Sequence, residues 1–299
     1  YLCLSAFLAF PQMLSAGEQP QVGISARSIG LGGSLTGLAD DASAIFWNPS
    51  GIPGLQRQEL TFSMADRYGM GLKNSQAAYV FPLFEKHALG FNWSREGFSD
   101  PELSDTFQIF NMAYGIQPHR SLSIGLGGKF VSQTIDLGGT TLRNARGIGF
   151  DVGLLFTPKS QAFRKFRFGA TLQDVTGTDV RDSDTQAKEE LLPQTIRVGA
   201  GFKPIDNLTL ALDVDNLIHF GAEYQPASSI VLRGGINREL SPPSGADNTL
   251  AYALGFGLRW NSFKIDYAYE HHPVLPATHH AAVSFSYNTS LISVKDALV

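Results

Sequence analysis

Residues 252–269, YALGFGLRWNSFKIDYAY, alternate large apolar side chains with small or charged ones. Tyr252, Leu254, Phe256, Leu258 and Trp260 fall on one side, and Ala253, Gly255, Gly257 and Arg259 on the other. After Asn261-Ser262 the order resumes, with Phe263, Ile265, Tyr267 and Tyr269 opposing Lys264, Asp266 and Ala268. A period of two belongs to a strand with unlike faces, and a two-residue break between such runs reads as a hairpin. The second face decides the setting. A sheet with one face in bulk water usually carries many Lys, Glu and Thr there. Here that face is Gly and Ala with sparse charges of both signs, which suits a narrow enclosed interior, while the apolar face suits lipid.

The same split recurs at 58–64, 74–83, 87–94, 105–117, 122–135, 146–157, 166–173, 194–203, 208–216, 219–225, 230–237, 250–260, 263–270 and 279–288. That makes about fourteen segments, many near the 9–11 residues a tilted strand needs to cross a bilayer. Gaps at 84–86, 118–121, 158–165, 204–207, 226–229 and 261–262 are mostly tight. Those at 95–104, 136–145, 174–193, 238–249 and 271–278 are longer and more polar. Apart from the short connector near 217–218, short turns alternate with long loops, the pattern of an outer-membrane barrel with short periplasmic turns and long external loops. The expectation is therefore an all-β fold, an antiparallel transmembrane β-barrel over 57–288, in the outer membrane of a Gram-negative-type bacterium. Trp93, Tyr224, Trp260 and Tyr287 are expected near strand ends, at the membrane–water boundary.

Composition narrows the rest. The chain has 299 residues, 43% apolar and 17% charged, which is too apolar for a disordered chain. A net charge of −4 without a basic block offers no footprint for nucleic acid. The single cysteine, Cys3, can form neither an internal disulfide nor a thiolate metal cage. Residues 1–16, an apolar run followed by Pro11 and small residues, read as a truncated signal peptide. Residues 289–299 form a tail beyond the last alternating segment.

Residues 17–56 precede the barrel, and 23–55 do not alternate. Gly30, Gly32, Gly33 and Gly37 make this stretch turn-rich, Leu38 to Phe46 suits a short helical turn, and Asn48-Pro49-Ser50-Gly51 is a turn signal. Leu35 stands where a dinucleotide loop requires its third glycine, and no Lys-Ser or Lys-Thr follows, so phosphate binding is excluded. A partly apolar segment before a closed barrel has the lumen to occupy, and it reads as a plug. Arg27, Asp40 and Asp41 are expected to anchor it to inward charges, namely Arg197, Asp213, Asp215, Glu223, Arg233, Arg259 and Asp266. Lys129, Asp151, Arg167 and Lys264 also fall on the inward face.

Asp213 and Asp215 lie two apart on one face, the spacing of an acid–base pair. Ion pairing with Arg197 and Arg233 is the expected use. His271, His272, His279 and His280 cluster, yet adjacent strand residues such as His279 and His280 face opposite ways, so no metal site is expected. There is no Gly-x-Ser-x-Gly elbow for a hydrolase. No catalytic residue, metal or cofactor is expected, and the chain is not read as an enzyme.

Arg27-Ser28-Ile29-Gly30-Leu31-Gly32-Gly33, and then Leu38 through Asn48-Pro49-Ser50-Gly51-Ile52, closely resemble the N-terminal signature of the PorV/PorQ family. That family belongs to the wider group of FadL-type fatty-acid channels. Leu192–Gly199, Leu210–Asp215, Gly221–Tyr224, Leu232–Gly235 and Thr278–Tyr287 are also similar to it, so the resemblance spans about 22–288. Ser50 stands where the family usually has Ala. The resemblance implies a fourteen-stranded barrel with an N-terminal hatch held at the Asn-Pro region, including Gly51. It implies two alternative roles. One is a channel or carrier for hydrophobic small molecules such as fatty acids, with membrane lipid around it. The other is a type IX secretion accessory that binds exported proteins, here chiefly through 174–193 and 238–249.

Overall fold

The computed structural model describes residues 25–183, 185–186, 188–240 and 250–287. The signal-peptide reading of 1–16, the tail 289–299 and most of the 238–249 connection lie outside these residues. The strands are β1 (Gln58–Arg67), β2 (Leu72–Phe84), β3 (His87–Ser99), β4 (Leu103–His119), β5 (Leu122–Leu137), β6 (Thr140–Phe156), β7 (Phe166–Gln173), β8 (Thr178–Asp182), β9 (Lys188–Leu192), β10 (Thr195–Ile205), β11 (Leu208–Val214), β12 (Leu217–Ala227), β13 (Ile230–Glu239), β14 (Ala251–Trp260), β15 (Phe263–His271) and β16 (Thr278–Tyr287). All pair antiparallel in one sheet, and a ring of 14 closes on itself. The ring shuts where β1 meets β16, from Gln58 opposite Tyr287 to Asp66 opposite His279. Closure leaves no unpaired edge for lipid to solvate, the condition for a sheet to cross a bilayer. No described helix is long and apolar enough to do so.

Side chains alternate as the period of two requires. Leu254, Phe256, Leu258, Ile265 and Tyr267 face out, while Ala253, Asp266 and Ala268 are buried inside. Two-residue turns at 85–86, 120–121, 206–207, 228–229 and 261–262 mark the periplasmic end; 157–165 is the longer connection there. Rings gather at this rim: Phe166 stacks on Phe202 at 4.5 Å, and the Tyr79 and Tyr287 hydroxyls meet at 3.3 Å, both reaching Gln58. Trp260 and Tyr287 end their strands. Trp93 does not sit at an end: β3 runs on to Ser99, so Trp93 is midway and donates Nε1–H to Gln108 Oε1 at 3.1 Å.

The external end departs from expectation in three segments. Residues 95–104 and 136–145, read as loops, are mostly strand; only 100–102 and 138–139 turn. The β3–β4 and β5–β6 hairpins continue with a polar outward face, Thr106, Thr134 and Asn144 in one row, so the apolar half of the alternation fades although the ladder does not. The 174–193 loop likewise holds a hairpin, β8–β9, which extends the line of β7 and β10 beyond the ring.

Candidate functional site

The plug starts where the Ser25 hydroxyl accepts from Ser28 N at 3.2 Å and caps α1 (Ala26–Gly30). α2 (Ala44–Trp47) follows, then a 3-10 turn over Pro49–Gly54. Asn48 is the junction between them. Its extended backbone (φ −161°) ends α2, and Pro49 supplies the fixed φ that starts the next turn. Asn48 Oδ1 accepts from Ser50 N at 3.2 Å and from Ser50 Oγ at 2.5 Å. Its Nδ2 donates to Thr36 O at 2.9 Å and to Leu154 O on β6 at 3.1 Å. One buried amide thus joins three parts of the plug to the wall, and Ser50 adds a bond that alanine would lack.

The plug's apolar side chains lie against small wall residues. Ile45 and Ile52 pack on Ala78, Val80, Ala88 and Ala113, and Ile29 on Ala253, Ala268 and Ala282. Glycines bring backbone against backbone. A β-carbon at Gly169 on β7 would overlap Thr36 O, and one at Gly51 would overlap Ala39 O. Gly32 and Gly33 adopt φ of +62° and +83°, which glycine accepts without strain. Their carbonyls then accept from His219 Nδ1 at 2.7 Å and Arg197 Nη1 at 3.1 Å.

Arg27 is the electrostatic centre. Its Nη1 lies 2.7 Å from both Asp40 Oδ1 and Asp41 Oδ2, and its Nε 3.0 Å from Glu223 Oε2 on β12. The chain of charge continues through Arg233, whose Nε is 2.7 Å from Glu223 Oε2 and whose Nη1 is 2.7 Å from Asp266 Oδ1, and on to Lys264 at 3.4 Å. Burial by itself would lower the Arg27 pKa, but Asp40, Glu223 and Asp41 outweigh it and raise the pKa well above its ordinary value. Burial pushes the Asp41 carboxyl up, while Arg27, Lys264 and the Ser43 hydroxyl hold it well below the usual carboxylate range. Arg259 stands beside this chain, donating Nη1–H to Gln225 Oε1 at 3.2 Å.

The two aspartates on β11 are used differently from expectation. Asp213 Oδ2 accepts from the plug's Thr36 N at 2.7 Å instead of meeting an arginine. Asp215 takes Arg197, with His219 Nε2 at 3.2 Å and Leu217 N at 2.7 Å. Arg233 pairs with neither, because sheet register sets it directly opposite Glu223. Two further contacts go unmarked by any motif: the His219 bond to Gly32, and Glu59 Oε1, which accepts from Ala42 N at 2.9 Å.

Among the described residues the ladder along β6 is interrupted. Pairing of β6 with β7 stops at Val152–Leu172 and resumes with β8 at Gly147–Val180. Asp174 (φ +51°) turns the intervening chain out of the strand line. The break is filled by Lys129 Nζ, 2.9 Å from Asp151 Oδ1 and 2.9 Å from Asp174 Oδ2, all three side chains buried. Removing the cation leaves two buried carboxylates facing each other, a loss of about 3–5 kcal/mol. Lys129→Met should therefore lower the denaturation midpoint measured by gel mobility of the folded barrel. Adding Asp174→Asn should recover part of the loss.

Among the described residues no group of three or more His, Cys, Asp or Glu is placed to hold a metal. His279 and His280 face opposite ways, bonding to Tyr267 at 2.6 Å outside and to Glu270 at 3.0 Å inside.

A closed apolar-walled ring filled by its own N-terminal segment defines a plugged β-barrel of the outer-membrane type. No protein-family model matches the chain, and no curated protein matches it by sequence. Solved structures do. CymD, a monoaromatic hydrocarbon channel, superposes with a TM-score of 0.68 at 15% identity, over 91% of this chain and 99% of its own. A Pseudomonas aeruginosa FadL homologue gives 0.64 at 13% identity, over 91% and 100%. The Ralstonia pickettii toluene transporter TbuX gives 0.65 at 12%, over 89% and 98%. The chain has the FadL-type fold along almost its whole length.

Proposed function

We propose that this protein is an outer-membrane channel or carrier for small apolar molecules such as fatty acids, opened by movement of the N-terminal plug, and that it has no enzymatic role. One observation carries the reading. Apart from the alanines and Val80 that meet the plug, Phe107, Ile109, Val131 and Ala145 on the inner wall and Val180 and Leu192 of the β8–β9 hairpin form a separate buried apolar cluster. A lumen meant for ions or sugars has no use for such a cluster, whereas an apolar solute that parts the hairpin from the wall gains from each methylene it buries there, about 0.8 kcal/mol. The hydrocarbon channels of like fold support the same direction. Among the described residues the plug meets the wall through hydrogen bonds to side chains, ion pairs and packing, so it can shift without breaking a covalent bond.

Purified protein mixed with a radiolabelled long-chain fatty acid should retain it through gel filtration. Ile109→Asn should cut retention about tenfold, in line with 1–3 kcal/mol for an unpaired polar group in an apolar seat. Equal retention by both proteins would end this reading. The secretion role implied by the PorV/PorQ resemblance gains no support from neighbours that are themselves channels and transporters. Co-purification with the C-terminal domain of an exported protein would be its sign.

A further inference from the structure

The lipid-facing wall of β2–β6 is dented. Ala77 and Gly128 are small residues on the outward side, and Gly128 has no atom within 4 Å of where a β-carbon would stand. Around them Phe91, Trp93, Phe110, Phe130 and Ile148 rim a concavity of about 550 Å³. Register sets Trp93, Phe110, Phe130 and Ile148 side by side across four strands. One outward-facing step toward the external end, the same strands present Arg95, Gln108, Ser132 and Arg146, and β8 continues the row with Arg181.

Arg146 and Arg181 are exposed and directly opposite each other, an arrangement that costs stability. Among the side chains the structure describes, which leave out those of Glu189 and Glu190, no carboxylate lies in ion-pair reach of these two or of Arg95. Asp179, two residues from Arg181, is engaged by Lys188. Arg95 donates only to Thr106 Oγ1, at 3.1 Å. The row lies where the apolar band gives way to polar residues, the level of lipid head groups. Three strand spacings separate Arg95 from Arg146, about 14 Å.

We propose that this face binds a phosphorylated lipid of the outer leaflet, with Arg146 and Arg181 on its phosphate, Arg95 at the far corner of the head group, and an acyl chain in the dent over Gly128. An anionic head group offsets the repulsion that the fold leaves unanswered, and guanidinium is suited to bidentate phosphate contact. The dent supplies what charge alone would not, a fixed place for the chain below the phosphate. The site lies outside the lumen and is independent of what the barrel transports.

The test places the whole protein in phosphatidylcholine nanodiscs, alone, with bisphosphorylated lipid A, or with the same lipid dephosphorylated. Bisphosphorylated lipid A should raise the unfolding temperature by about 5 °C, and the dephosphorylated form should not. The double variant Arg146→Gln, Arg181→Gln should lose that rise while unfolding no earlier than the parent in phosphatidylcholine alone, because its repulsion is gone. Gly128→Leu, which has room for its side chain, should keep the fold and reduce the rise. No rise, an equal rise with dephosphorylated lipid, or a full rise in either variant would overturn the proposal.

Discussion

Arg27→Gln is expected to turn a closed barrel into an ion-conducting one. The substitution leaves Asp41 and Glu223 buried in the lumen without their shared cation, and removing one member of such a group costs about 3–5 kcal/mol. Asp40, more exposed, adds little. The loss falls on the plug's attachment and not on the strands, whose ladders are untouched. Conductance in planar bilayers should rise toward the level set by deletion of residues 25–56. Arg27→Lys should fall between, since an ammonium cannot span the Asp40, Asp41 and Glu223 positions as the guanidinium fork does. A deletion that conducts no better than the parent would show that the segment does not close the pore. The pH dependence has a definite sign. Asp41 is held below its ordinary pKa, so its contribution is complete above the usual carboxylate range and declines as pH falls below it. The Asp41 share of the plug's hold should persist through mildly acidic conditions and be lost only in strong acid.

Asn48→Asp should have an effect of similar size by a different route. The amide donates to Thr36 O and Leu154 O. In the acid form's conjugate base an oxygen faces those two carbonyl oxygens in a site without solvent, replacing two hydrogen bonds by two repulsions. Each unsatisfied buried acceptor costs about 1–3 kcal/mol. Protease added to the purified barrel should then cut within 25–56, where the parent resists. Asn48→Ala, which loses the bonds without the repulsion, should be cut more slowly. Ser50→Ala, which removes one hydroxyl bond near 1 kcal/mol, should resemble the parent.

The strands were legible because lipid outside and a filled lumen inside impose opposite demands on successive residues, and Tyr252 to Tyr269 records both. The legibility fades where the wall rises out of the apolar band: Arg95 and Glu96 on β3 stay in the ladder, but with head groups and then water on the outer side the apolar half of the pattern is no longer required. Inward-facing charges could be named from parity alone. Their partners could not, since whether Arg233 meets Asp213 or Glu223 depends on strand register, which a one-residue difference in a turn would change. The glycine-rich face suggests narrowness from sequence; its cause is the plug backbone pressed against it at Gly125, Gly169 and Gly235. Asp174 and its bond to Lys129 carry no local signature, because the residues are 45 apart in the chain.

The β1–β16 junction has a consequence for how the molecule is built. Nearly every ladder joins strands close in sequence, so hairpins can form one after another with little loss of chain entropy. Only this junction must wait for the far end of the polypeptide to be made. The segment ahead of β1 already grips β6 through Asn48 and β12 through Arg27, two staves far apart on the circumference. It is therefore placed to act as a mandrel, curving the growing ribbon until its first and last staves meet. A chain lacking it should complete the cylinder more slowly, even where the finished cylinder is sound.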